Sequence, residues 1–74
     1  MKVKLTLDGY MIVRSCPKIV QEFIVFYCGR YCKAQIVGKA VFYYGDMGDL
    51  YFMLFRLSQN FKFEIEREEN ESVL

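Results

Sequence analysis

The segment from Cys16 to Cys32 constrains the fold most, because its apolar spacing predicts a long amphipathic helix. Pro17 suits the first helical position, where its missing N–H costs nothing. Apolar side chains then recur at three- and four-residue intervals and are expected to face inward: Val20, Phe23, Ile24, Tyr27 and Tyr31. Several β-branched residues lower the helix propensity, so the rest of the chain must pack against this helix to stabilise it.

The segment before the helix has the alternating pattern of a half-buried strand. Val3, Leu5 and Leu7 alternate with polar residues. Asp8 and Gly9 then precede a second apolar run, and this pair is favoured in a type I′ hairpin turn because both positions need positive φ. The segment therefore forms either a β-hairpin or one strand followed by an ordered loop.

Two apolar runs follow the helix and predict further elements. KAQIV and AVFYY flank Gly38 and Lys39, which indicates a β-hairpin with glycine supplying a positive φ. LYFMLFRLSQN is either a helix or a strand in a meander. We favour the helix, since Asp49 can cap it, Asn60 can end it and many of its residues are good helix formers. Its inward face would hold Leu50, Met53, Leu54 and Leu57.

FKFEIER closes the ordered chain as another half-buried strand, with Phe61, Phe63 and Ile65 expected to face inward. The predicted order is β-α-β-β-α-β. This order is typical of an α+β open-faced two-layer sandwich, with a mainly antiparallel sheet and two helices on one face. Residues 1–67 are predicted to form a single domain, and residues 68–74 an acidic, flexible tail.

Composition excludes several classes of site. The chain has no histidine and three cysteines, and its charged residues interrupt every apolar stretch, so we expect a cytoplasmic protein that does not enter the membrane. Cys28 and Cys32 have a spacing that could hold a metal only with two further ligands, and no second pair exists. We therefore predict reduced, unreactive thiols, with Cys28 the slowest to react, and neither metal nor cofactor.

Four short pieces of the chain are shared with one family. RSCP followed by IVQ is similar to a HARPA-like motif followed by an LVQ-like step, and VGKAV to an NGK turn before a valine. YGDMG is similar to a KSIMG-like segment, and FEIEREENE to a last strand that runs into a GEDE-like stretch. Together they resemble the histidine-containing phosphocarrier protein (HPr) family of the sugar phosphotransferase system.

The resemblance implies a docking surface rather than the family's chemistry. Without histidine, phosphate cannot be carried on imidazole. The family's catalytic arginine would correspond to Arg14. Its regulatory serine would fall near Gly45 or Asp46, and neither residue has a hydroxyl group to phosphorylate.

No nucleophile-base pair stands out, so an enzyme is not expected. The aromatic-rich composition instead predicts a small non-catalytic protein-interaction or regulatory module, such as an adaptor, an HPr-like regulator or a small inhibitor of a larger complex. Its partner is a protein or a second copy of the chain in a homodimer. The predicted partner-binding residues are Tyr43, Tyr44, Tyr51, Phe52, Phe55 and Arg56.

The alternative function is single-stranded nucleic-acid binding by sheet-face aromatics, with Lys33, Lys39 and Lys62 meeting the phosphates. The charge distribution weighs against it. Residues 1–62 carry nine basic and four acidic side chains, whereas residues 63–74 carry one basic and five acidic. The acidic end would repel a polyanion.

Overall fold

A sheet of five strands carries the fold within residues 1–28 and 32–66, the part of the chain that this computed structural model describes. The strands are β1 (Lys2–Leu5), β2 (Tyr10–Arg14), β3 (Lys33–Val37), β4 (Ala40–Tyr44) and β5 (Glu64–Ile65). Helix α1 spans Lys18–Tyr27 and helix α2 spans Met47–Asn60. The α+β class is confirmed, and the segment over Leu50 to Asn60 is helical as predicted.

The strands lie side by side in the order β3-β4-β2-β1-β5. Three of the pairings are antiparallel, and the pairing of β1 with β5 is parallel, so the sheet is mixed but mainly antiparallel. The segment before α1 forms a β-hairpin, one of the two alternatives left open by the sequence. This hairpin adds one strand to the predicted order, which becomes β-β-α-β-β-α-β.

The turn between β1 and β2 differs from the type I′ turn predicted from Asp8 and Gly9. Gly9 has a φ of 90°, but Asp8 does not adopt positive φ. The N–H of Gly9 donates to the Thr6 carbonyl at 3.3 Å, and Thr6 Oγ1 accepts from the Tyr10 N–H at 3.0 Å. The threonine side chain thus supports a wider turn that needs one left-handed residue. In the β3–β4 turn, Gly38 has the expected positive φ, at 60°.

Helix boundaries differ from prediction by a few residues. Pro17 is the N-cap of α1 rather than its first residue, and the helix ends at Tyr27, before Cys32; residues 29–31, including the predicted core residue Tyr31, lie outside the described residues. Helix α2 begins at Met47, because the Oδ1 atom of Asp46 accepts from the Asp49 N–H at 2.8 Å. The prediction that Asp49 is the cap was therefore wrong.

The core lies between the helices and one face of the sheet, as predicted. One cluster of buried side chains joins both helices to three strands, β1, β2 and β4, and its members include Val3, Met11, Val13, Val20, Ile24, Val41, Tyr43, Leu50, Met53 and Leu57. Phe23, Leu54, Phe61 and Phe63 pack against this cluster and are partly buried. Because both helices contribute to one cluster, they cover the same face and leave the other open.

Two residues expected to face inward are exposed instead. Tyr27, in the last turn of α1, is 37% exposed and contacts α2 at the surface of the helix layer. Ile65 is in register with Val3 on the helix-facing side but is 61% exposed, because it lies on the short edge strand β5 at the margin of the sheet. The predicted acidic tail, residues 68–74, lies outside the described residues.

Candidate functional site

Helices α1 and α2 present a group of aromatic side chains on the outer surface of the helix layer. Phe26 on α1 is 79% exposed, and Phe55 on α2 is 57% exposed. We call this group the helix-layer patch, and it consists of Phe26, Tyr27, Tyr51, Phe52, Phe55 and Arg56. Clustered exposed rings are unusual on a monomer and mark a candidate binding surface.

The spacing of core residues on α2 explains why its rings face outward. Leu50, Met53 and Leu57 are fully buried at three- and four-residue intervals. In a helix of about 3.6 residues per turn, residues 51, 52, 55 and 56 then lie toward the outer side. Since the outer side is also apolar, α2 shows solvent a hydrophobic surface that no other described element covers.

Ring contacts join the two helices within the patch. The Cζ atom of Arg56 lies 5.3 Å from the ring centroid of Tyr27 on α1 and 5.3 Å from that of Phe52, one turn earlier on α2. Phe26 packs edge-on against Tyr27, with ring centroids 5.0 Å apart. Each cation–π contact of this kind contributes about 0.5–1 kcal/mol at an exposed site. The guanidinium is therefore held among rings at the junction of the helices.

The predicted partner-binding residues divide among three places. Those in the helix-layer patch are Tyr51, Phe52, Phe55 and Arg56. Tyr43 belongs to the core, since it is 2% exposed and its hydroxyl donates to Cys32 Sγ at 3.0 Å. Tyr44 is 45% exposed on the opposite face of the sheet. The prediction that grouped both tyrosines with the patch is corrected, because successive residues of a strand point to opposite faces.

Sequence reasoning missed two members of the helix-layer patch. Phe26 was assigned no role, and Tyr27 was assigned to the core. A signal was present for Phe26, because it falls off the stripe defined by Val20 and Ile24. The packing of Tyr27 against Arg56 depends on how α1 and α2 lie together, which the periodicity of one helix does not specify.

The sheet face opposite the helices carries a second group of rings, and we call it the open sheet face. Tyr10 and Tyr44 are direct cross-strand neighbours on β2 and β4, with ring centroids 4.9 Å apart. In the next outward-facing row, Phe42 is the neighbour of Ile12, and both are half-buried. Cross-strand pairs of this kind stabilise the sheet, so the rings have a structural role as well as an exposed surface.

Lysines border the rings of the open sheet face. Lys33 on β3 and Lys4 on β1 occupy outward-facing positions on either side of the ring-bearing strands. Of the other lysines predicted to meet phosphates, Lys39 lies in the β3–β4 turn and Lys62 precedes β5. Lys4 was not predicted, although its alternation with Val3 and Leu5 places it on the outward-facing side of β1.

A third group of reactive side chains lies near the ends of α1 and β3. The Sγ atoms of Cys28 and Cys32 are 3.1 Å apart, and Cys28 Sγ also donates to the Cys32 carbonyl at 3.2 Å. Cys16 and Cys32 are buried, whereas Cys28 is partly exposed. This order of burial contradicts the expectation that Cys28 is the most protected of the three thiols.

Burial keeps Cys16, Cys28 and Tyr43 protonated. It raises the pKa of Cys16 from 9.0 to about 11. Burial, followed by hydrogen bonding to Cys32, raises the pKa of Cys28 to about 11 and also raises the pKa of Tyr43. A thiol reacts as its thiolate, so raised pKa values oppose nucleophilic or redox chemistry at neutral pH.

The described residues contain no group of three or more Cys, Asp or Glu side chains that could hold a metal ion. In residues 1–28 and 32–66, neither helix is long and apolar enough to cross a bilayer. No protein-family model matches the chain, and no curated protein or solved structure matches it significantly. The resemblance to the HPr family therefore stays a prediction.

Proposed function

We propose that this chain is a non-catalytic protein-interaction module whose helix-layer patch binds a second copy of the chain. One observation supports this most strongly: an exposed ring from each helix, Tyr27 and Phe52, packs against Arg56 where the two helices meet. A dimer of this kind fits an adaptor, an HPr-like regulator or a small inhibitor of a larger complex, all of which act by binding.

The residue types of the patch favour a protein partner. Tyr, Phe and Arg are enriched at the centre of protein interfaces, whereas Lys and Glu are depleted. The patch contains the first three types and neither of the last two. Arg56 already packs against two rings, so a partner surface can cover its apolar stem while the guanidinium keeps its contacts with Tyr27 and Phe52.

The energetics favour association if several rings are covered together. A half-exposed aromatic ring that becomes buried contributes about 2 kcal/mol, from its area and about 25 cal/mol per Å². Association costs about 4–15 kcal/mol, so one or two rings are not sufficient. A twofold axis through the patch doubles the number of rings covered, because each copy contributes the same surface.

The experiment is a measurement of molar mass by light scattering during size-exclusion chromatography, over a range of concentrations. We expect the wild type to be a dimer, and both Phe52→Glu and Phe55→Glu to be monomers that keep cooperative thermal unfolding. Each variant places a carboxylate where the partner's rings would lie, and each wild-type ring is about half exposed in the monomer, at 51% and 57%.

Leu7→Glu is the matched control. Leu7 is 92% exposed in the β1–β2 turn, so the same change in charge and polarity there should leave the dimer intact. A wild type that stays monomeric at millimolar concentration would contradict the proposal. So would a dimer that persists in both phenylalanine variants. If Phe52→Glu unfolds the domain, the ring belongs to the core and the interface lies elsewhere.

A further inference from the structure

We infer that the open sheet face binds single-stranded nucleic acid, with bases stacked on Tyr10, Phe42 and Tyr44 and with phosphates beside Lys4 and Lys33. This inference goes beyond the proposed function, because it uses the face of the sheet that the helices leave uncovered. It rests on the arrangement of rings, lysines and surface depressions on that face.

The rings are arranged as a stacking platform. Tyr10 and Tyr44 lie side by side, are 40% and 45% exposed, and tilt at 51° to each other. Phe42 is two residues away from Tyr44 on the same strand, which places it about 7 Å along the sheet on the same face. An extended strand can place neighbouring bases on such rings, and stacking tolerates any base because each has a π-face.

The lysines flank this platform on two sides. Lys33 is in register with Tyr44, and Lys4 is in register with Ile12. Three strand spacings of about 4.8 Å and an offset of two residues along the strands, about 7 Å, separate the Lys33 and Lys4 positions. The two backbone positions therefore lie roughly 16 Å apart across the rings. A sugar–phosphate backbone crossing the rings would meet a cation at each end.

Acidic groups limit the path of the ligand. Asp8 lies in the turn near Tyr10, while Glu64 is in register with Lys2, and Arg14 Nη1 lies 3.5 Å from Glu66 Oε1. The ion pair neutralises Arg14, and Glu64 places a negative charge on the strand beside Lys2. The cations left for phosphates are those beside the rings, so the strand is expected to cross β4 and β2 and to avoid the β5 edge.

The surface above the rings is concave. Two adjacent depressions of about 380 and 240 Å³ lie on this face, and Tyr10, Gln35 and Phe42 line both. Gln35 is in register with Phe42 and places a side-chain amide beside the stacking positions. A side-chain amide can donate a hydrogen bond to a base edge and accept one from it. An apolar partner surface would offer no groups for these hydrogen bonds.

The flanking charges favour nucleic acid over protein for this face. Lysine is depleted at protein interfaces, whereas Lys near exposed rings is the usual arrangement for single strands. The helix-layer patch shows the opposite pattern, with rings around Arg56.

The test is fluorescence anisotropy with a labelled oligothymidylate of about 10 nucleotides, measured from low to physiological salt. We expect the logarithm of the binding constant to fall with the logarithm of salt with a slope of about −1.4, since two lysines each neutralise one phosphate and a single strand gives about −0.7 per phosphate. Lys4→Gln and Lys33→Gln should each bring the slope about 0.7 closer to zero. Tyr44→Ala should lower affinity about tenfold.

Phe42→Ala and Phe52→Ala are a matched pair on the two surfaces. The first should weaken oligonucleotide binding about tenfold, and the second should leave it unchanged. Tyr44→Ala repeats the test at a more exposed ring, in case Phe42→Ala unfolds the sheet. An unlabelled duplex should compete poorly because its bases are already stacked.

Three outcomes would overturn the inference: no anisotropy change at low salt, equal competition by duplex, or equal affinity in wild type and Tyr44→Ala. A loss of dimer mass in Tyr44→Ala would instead identify the open sheet face as a protein interface. Failure here leaves the proposed function intact, because dimerisation depends on Phe52 and Phe55.

Discussion

The helix-layer patch and the open sheet face both expose aromatic rings, yet the charged groups around those rings differ. Arg56 lies among the rings of the patch, within cation–π distance of two of them. On the open sheet face, Lys4 and Lys33 lie beside the rings at the strand positions that flank them. The comparison shows that exposed rings indicate binding, while the identity and placement of the cations indicate the class of ligand.

The two surfaces also differ in how the chain produces them. The patch exists because α2 is apolar on both sides and a core of this size covers one of them. The open sheet face exists because a single helix layer covers one face of the sheet, so alternate residues of β2 and β4 face outward. A dimer through the patch would place the helix layers together and leave both open sheet faces free.

The largest effect is expected from a core substitution that disrupts both surfaces at once. Leu50 is fully buried, and Leu50→Ala should lower the free energy of unfolding by about 2–5 kcal/mol. A domain of this size has about 4–11 kcal/mol in total, so urea unfolding should show a large loss of stability. Dimerisation and oligonucleotide binding should decline together. If only one of the two binding activities declined, the two surfaces would not depend on one cooperatively folded core.

Two matched charge reversals should separate the surfaces. Arg56→Glu removes both cation–π contacts and places a carboxylate among the rings, so dimer affinity should fall at least about tenfold while oligonucleotide affinity changes little. Lys33→Glu should weaken oligonucleotide binding and leave the dimer intact. Both variants change the net charge by the same amount, so each serves as the control for the other's long-range electrostatic effect. Sedimentation measures dimer affinity, and anisotropy measures oligonucleotide affinity. If each variant lost both dimer affinity and oligonucleotide affinity, the two surfaces would not be distinct binding sites.

The smallest expected effect concerns Tyr43, which was predicted from the sequence to bind a partner but is buried in the core. Tyr43→Phe removes the hydrogen bond to Cys32 Sγ and should lower the free energy of unfolding by about 1 kcal/mol, measured by thermal unfolding. Neither binding activity should change. Tyr44→Phe is the control, since its exposed hydroxyl should affect stability little. A dimer weakened by Tyr43→Phe at unchanged stability would show that this residue reaches an interface.

Much of the fold follows from local patterns. The turn residues Gly38 and Lys39 between two apolar runs were sufficient for β4, and the helical spacing of Leu50, Met53 and Leu57 was sufficient for the buried side of α2. Alternation along β4 also separates Tyr43 from Tyr44, and the prediction that joined them overlooked it. Asp46 was missed as the helix cap because two aspartates, Asp46 and Asp49, lie in the same short GDMGD segment. Only the hydrogen bond from the Asp49 N–H to Asp46 Oδ1 shows which of them caps α2.

Long-range features could not be predicted in the same way. The parallel pairing of β1 with β5 joins the two ends of the described chain, and no local pattern specifies it. The contact between Tyr27 and Arg56 likewise depends on the packing of α1 against α2. The positions of Lys4 and Lys33 beside the rings of the open sheet face follow from the register of β1 through β4, which the sequence does not give.

Sedimentation equilibrium of the wild type with and without saturating labelled oligothymidylate tests the central claim most directly, because it counts both ligands on one molecule. If the helix-layer patch binds a second copy and the open sheet face binds nucleic acid, the complex should contain two chains and two oligonucleotides. A complex of one chain with one oligonucleotide, formed as the dimer dissociates, would show that the two ligands compete for one surface and would contradict the account.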